Sequence, residues 1–170
     1  DVPSEPFQVK ALQGFMCTEA SYEKKKAELK EIKEVQVPAN LKDIATAREL
    51  GDLRENAEYQ YAKDYKRELE RRVGELTNDI NTVRVMKESD IVPGLIGFGM
   101  KVDLRDNIEK KEFTYTFLGR WESNPDSGII DINAPVGKAL INHKEGEDVV
   151  FTIGTRECNY TVLKIEQVEI

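Results

Sequence analysis

Apolar residues recur at helical spacing through the first half of the chain and alternate at spacing two through much of the second. In the first run Thr18 stands at an N-cap position, Glu19 follows in the first turn, and Tyr22, Leu29 and Ile32 share one face opposite lysines and glutamates. Pro38 interrupts, but Leu41, Ile44 and Ala45 resume the period at once, which predicts a kink or a single-turn break rather than a loop. A second run extends from Leu53 to about Met86 and carries Ala62, Tyr65, Leu69, Val73, Leu76, Ile80 and Val83 at steps of 3, 4, 4, 3, 4 and 3. That is a heptad seam with one four-residue stutter. Gly74 inside it costs about 1 kcal/mol against alanine, which predicts close approach of the partner helix.

Neither helix buries its stripe alone, so the two are expected to fold back as an antiparallel coiled coil, each helix about thirty residues and roughly 45 to 50 Å long. The reversal falls in Ala47 to Tyr59, A-R-E-L-G-D-L-R-E-N-A-E-Y. Gly51 is the residue that ends a helix with positive φ at little cost, and Asp52 with Glu55 forms a D-x-x-E capping box that starts the next helix. Leu53, Arg54 and Asn56 complete the tip. Glu49, Asp52, Glu55 and Glu58 stand there against Arg48 and Arg54, so carboxylates are offered at the end of a rod. On spacing alone, capping is the simpler use for Asp52 and Glu55.

Pro93, Gly94, Gly97 and Gly99 mark a boundary, after which the period becomes two. Met100, Val102 and Leu104 alternate, as do Phe113, Tyr115 and Phe117, with Asp106 to Lys110 as the turn between them. Ile129 and Ile130 predict a third strand, Ala134 to Ile141 a short helix with Pro135 at its first position, and Val149 to Ile153 with Tyr160 to Val168 a final hairpin. The fold class is therefore α+β. Residues 18–90 form a helical hairpin domain, residues 91–170 a small antiparallel-sheet domain with one short helix, and residues 1–17 an N-terminal extension or the end of a preceding segment. In that stretch Phe7, Val9 and Leu12 alternate loosely enough for a short strand or a linker, and a start at Asp1 suggests a fragment of a longer polypeptide or a processed chain.

Composition narrows the function. A hydrophobic content of 39% with no apolar run near the roughly 20 residues of a membrane span argues against membrane insertion. The first ten residues lack the basic and apolar regions of a secretory signal. Cys17 and Cys158 lie far apart and read as reduced thiols of a cytoplasmic protein, while one histidine, His143, and no C-x-x-C give no metal site. A formal charge of -7 opposes general coating of nucleic acid, so any such contact is local. The local exception is Lys63, Lys66, Arg67, Arg71 and Arg72, with Asp64, Glu68 and Glu70 among them. Such a run is most simply a solvated helix face laced with ion pairs, and alternatively a surface for RNA phosphates.

The tip string as a whole resembles the tip motif of the GreA/GreB family of bacterial transcript-cleavage factors, closer to GreA, and a looser likeness runs from about Thr18 to Ile170. The stretch D-I-N-A-P-V-G-K-A-L-I-N-H-K-E-G-E-D-V is similar to the family segment that holds RNA polymerase at the rim of its secondary channel. It departs at Ala134 for serine, Asn142 for glycine and Glu147 for aspartate, with His143 in place of a lysine and expected to be an exposed loop residue. Asn142 tolerates positive φ, whereas Ala134 removes a cap unless Asn133 takes it over. The resemblance implies that the second domain is like FK506-binding prolyl isomerases in fold and docks polymerase through Asn133, Ala134, Pro135 and Leu140. It implies that Lys63, Lys66 and Arg67 contact the nascent RNA 3′ end. Asp52 and Glu55 would complete a second Mg²⁺ site only jointly with RNA polymerase, the isolated protein holding none. The chain would be a monomer and no enzyme itself, activating the polymerase's own cleavage of backtracked RNA.

Three rivals remain. An anti-Gre homologue that blocks the channel calls for a more acidic tip, and a prolyl isomerase for an aromatic-lined pocket, toward which Trp121 alone is thin support. A structural coiled-coil tether needs no carboxylates at its tip.

Overall fold

A computed structural model describes residues 14–51 and 56–170. They divide into two compact units, one running from Tyr22 to Thr82 and the other joining residues up to Ser21 with Val83–Ile170. The divisions at 21/22 and 82/83 stand where the sequence pattern suggested 17/18 and 90/91. The difference has a cause: β1, Met16–Thr18, pairs in parallel with β2, Arg84–Met86, and buried Met16 and Met86 join the core of the second unit. Arg84–Met86 is therefore strand, not the end of the long helix.

The first helix starts from Thr18, whose hydroxyl accepts the Ser21 N–H at 3.1 Å, so the N-cap read from the sequence is present. Helix α1 is Glu19–Glu31, a π-helical turn follows at Ile32–Gln36, and α2 is Val37–Arg48. Pro38 lies at the start of α2, where it has no N–H to give to the carbonyl four residues back; the turn before it is widened, with Val37 N–H bonded to Ile32 O. The break predicted at Pro38 is this π-turn. It also re-phases the helix. Leu29, Ile32, Val37, Asn40, Ile44 and Ala47 now face inward, with one step of five residues across the turn, and Leu41 is left half exposed. The expectation that Leu41 and Ala45 continue the inward stripe fails for that reason.

Helix α3, Ala57–Thr82, packs antiparallel along this line. Ile32, Leu69 and Leu76 are buried together, with Leu29, Val37, Val73 and Ile80 against them. Asn40 is buried in the seam and donates from Nδ2 to Ala62 O at 2.9 Å, which satisfies a polar group that would otherwise cost stability. Tyr65, assigned to the seam by spacing, sits at its exposed margin. Gly74 faces open space, since a Cβ there meets nothing within 4 Å; it mediates no close approach.

The second unit is a five-stranded sheet in the order β5, β4, β3, β7, β6. The strands are β3, Met100–Asp106, β4, Lys111–Leu118, β5, Ile129–Asp131, β6, Asp148–Ile153, and β7, Arg156–Gln167. All neighbours are antiparallel except β4 and β5, which run parallel because the chain crosses over between them. Met100, Val102 and Leu104 point to the core opposite Phe117, Tyr115 and Phe113, as alternation required. Helix α4, Pro135–Leu140, carries Leu140 into this core. Gly137 lets α4 approach the preceding chain, since a Cβ there would lie 2.3 Å from Ile132 O. Cys17 and Cys158 are buried and free, and burial pushes the Cys17 thiol up to about 12.

Candidate functional site

The hairpin reversal is closed from both sides. Helix α2 ends at Arg48, and Gly51 follows at φ +126°, a value open to glycine, so the stop signal read there is present. On the other side Asn56 is the N-cap of α3: its Oδ1 accepts the Tyr59 N–H at 3.0 Å, while its O accepts the Gln60 N–H at 3.1 Å. The same side chain turns its Nδ2 toward Ala47 O at 2.6 Å, tying the start of one helix to the end of the other. The capping box expected at Asp52 and Glu55 falls before Asn56 in the sequence. Asp52, Leu53, Arg54 and Glu55 lie outside the described residues.

Beside this neck, two cations converge on one ring. The Arg48 guanidinium lies 5.8 Å and the Lys63 ammonium 5.3 Å from the centre of Tyr59, a buried residue of α3. A hydrogen bond from Arg48, with the nearby charge of Lys63, holds the Tyr59 phenol below its ordinary range. Neither cation has a carboxylate partner among the described residues.

The rest of the basic run behaves differently. Lys66 lies 3.9 Å from Glu70, Arg67 pairs with Asp64, Arg71 bridges Glu68 and Glu75 at 2.6 Å each, and Arg72 reaches across to Glu28. Arg71 lowers the carboxyl of Glu68 below its usual range. Of the three residues assigned to an RNA surface, Lys63 is the one with no carboxylate partner among the described residues. Arg48, from the opposite helix, joins it; sequence spacing on a single helix could not show this.

In the sheet unit the stretch from Asn133 to Glu147 is partly surface and partly core. Pro135 is exposed at the first turn of α4, Asn133 and Ala134 are half-buried, and Leu140 is completely buried. Leu140 therefore acts on any partner only by shaping this helix. Ala134 occupies the N-cap with no side-chain bond, and Asn133 does not take its place, because its Nδ2 donates to Gly14 O at 3.1 Å. Asn142 adopts φ +69°, as its amide character permits. His143 is half-buried rather than free in a loop, with Nδ1 2.6 Å from Glu147 Oε2. That contact is the main cause holding the Glu147 carboxyl below its ordinary range.

The comparisons with known proteins cover both parts of the chain. Residues 15–85 match the N-terminal model described as transcription elongation factor, GreA and GreB, and residues 91–167 match the C-terminal model of the same proteins. The transcription elongation factor GreA of Treponema pallidum (strain Nichols) is 39% identical over 158 residues, 93% of this chain and 98% of that protein. The chain belongs to the GreA/GreB family. Transcription elongation factor GreA of Borreliella burgdorferi is 42% identical over 156 residues, which are 92% of this chain but 17% of that longer relative. Among solved structures, GreA factor homolog 1 of Thermus thermophilus covers 91% of this chain and 99% of its own, at 23% identity and a TM-score of 0.42. Family membership accounts for the pairing of a helical hairpin with a curled sheet. No described helix is long and apolar enough to cross a membrane.

Proposed function

We propose that the chain is a transcription elongation factor that works in the cytoplasm on bacterial RNA polymerase, inserting the hairpin into the secondary channel and stimulating cleavage of backtracked RNA. The observation that supports this reading is at the neck of the hairpin. Asn56 caps α3 and clasps Ala47, so the described start of α3 is held without a carboxylate. On this reading the tip carboxylates Asp52 and Glu55 are assigned to chemistry.

Two carboxylates are hard oxygen donors of the kind Mg²⁺ takes, and too few to fill its octahedral shell, which suits a site shared with polymerase. When bound, Mg²⁺ orients a water and neutralises charge that develops on the phosphodiester. Asp52 and Glu55 would supply ligands from this side, and the polymerase's own active centre would cut the RNA. Arg48 and Lys63 meet the phosphates of the extruded 3′ segment, the first by a planar fork and the second as a point charge. Asn133, Ala134 and Pro135 form the docking edge of the sheet unit, with Leu140 holding α4 in place from below. The protein itself acts as a monomer and completes an active site that belongs to its partner.

The test is direct. Adding the protein and Mg²⁺ to a stalled, backtracked elongation complex shortens the transcript from its 3′ end. An unchanged transcript, with the protein bound, would leave a channel-blocking or purely structural role.

A further inference from the structure

A second charged surface lies on the flank of the hairpin, away from the residues used above. Lys26, Lys30 and Lys33 fall at i, i+4 and i+7 along α1 and into the π-turn, which stacks them on one face. They rim a shallow groove between the two long helical arms whose floor is Leu29 and Ile80, both partly exposed, and whose end carries Glu34. Lys26 shares its charge with Glu23 at 3.6 Å and lies over the Tyr22 ring. Lys30 and Lys33 have no carboxylate partner among the described residues, in a chain whose net charge is -7.

We propose that this groove docks an acidic amphipathic helix of a partner protein. Charge complementarity selects the sign: three ammonium groups in a row ask for carboxylates at the same helical repeat. The floor selects the class of macromolecule. Leu29 and Ile80 gain nothing from a sugar-phosphate backbone, whereas an amphipathic helix brings apolar side chains at i, i+3, i+4 and i+7 to cover them. Glu34 at one end repels a uniformly anionic strand but tolerates a helix whose charged face stops short of it, so it also sets direction.

The experiment uses the full chain and a fluorescein-labelled synthetic helix with leucines on one face and glutamates on the other, read by anisotropy at low salt. The wild type binds the peptide, and Lys30→Glu with Lys33→Glu weakens binding about tenfold, in line with loss of close charge pairs at an interface. Lys24→Glu with Lys42→Glu makes the same change in net charge outside the groove and leaves binding within about twofold, as remote charges are screened. Ile80→Ser also weakens the peptide, with a circular dichroism melt showing that the hairpin still folds. Equal losses in both lysine pairs would mean nonspecific attraction and overturn the proposal. So would absence of peptide binding by the wild type, or a groove-dependent binding of a labelled oligouridylate in preference to the peptide.

Discussion

Asn56 does two jobs with one amide, and that makes it the residue on which the tip depends for stability. Its Oδ1 caps α3 and its Nδ2 holds Ala47 O, so Asn56→Ala removes both bonds and should lower stability by about 1 to 2 kcal/mol in a thermal melt. Asn56→Asp keeps the cap acceptor and loses only the clasp, so it should fall between. Asp52→Asn, by contrast, should leave the melting temperature within about a degree or two, because asparagine caps a helix about as well as aspartate. The pair of His143 and Glu147 gives a pH test of similar simplicity. The folded Glu147 carboxyl lies below its ordinary 4.5, principally through His143, so the pair stabilises the fold above that range and the contribution disappears as pH falls through the lowered value. NMR titration of Glu147 should show a midpoint below 4.5, and His143→Ala should return it toward the ordinary value; a midpoint indifferent to His143 would remove the pair from the account.

The elements were largely legible because each has a period that only one geometry satisfies. Val102, Leu104, Phe113, Tyr115 and Phe117 alternate and are found on the core face of β3 and β4, while Leu69, Val73, Leu76 and Ile80 keep helical spacing and line the hairpin seam. Illegible features were those set by a single tertiary contact. The π-turn before Pro38 shifted the inward face by one residue and brought in Asn40, a polar residue that no hydrophobic pattern would place in a seam. Arg84–Met86 continued the apolar period but was drawn into a strand by Met16–Thr18, far away in sequence. Two glycines show the same limit from opposite sides. Gly74 faces open space, so Gly74→Ala should stabilise the hairpin by about 1 kcal/mol. Gly137 packs on Ile132 O, so Gly137→Ala should displace α4 and lower the melting temperature of the sheet unit; unchanged stability there would show that α4 is not held as described.

At the scale of the whole molecule, a net charge of -7 makes the few unanswered cations the places where an anionic partner can be met. Lys63 and Arg48 flank Tyr59 with no carboxylate partner among the described residues, whereas Lys66 and Arg67 are paired with Glu70 and Asp64. Arg48→Ala with Lys63→Ala should therefore reduce crosslinking to the RNA 3′ end more than Lys66→Ala with Arg67→Ala, and the difference should shrink as salt rises. Docking is better tested at exposed Pro135 than at buried Leu140, where a charge would unfold the sheet unit before it reported on binding. The central claim, that the tip carboxylates serve chemistry and not the fold, is tested by combining Asp52→Asn with Glu55→Gln and measuring Mg²⁺-dependent transcript cleavage in a backtracked elongation complex. The account predicts that cleavage collapses while the melting temperature and the affinity for polymerase hold, with raised Mg²⁺ partly restoring the single variants by mass action. Near-normal cleavage by the double variant at ordinary Mg²⁺ would contradict it.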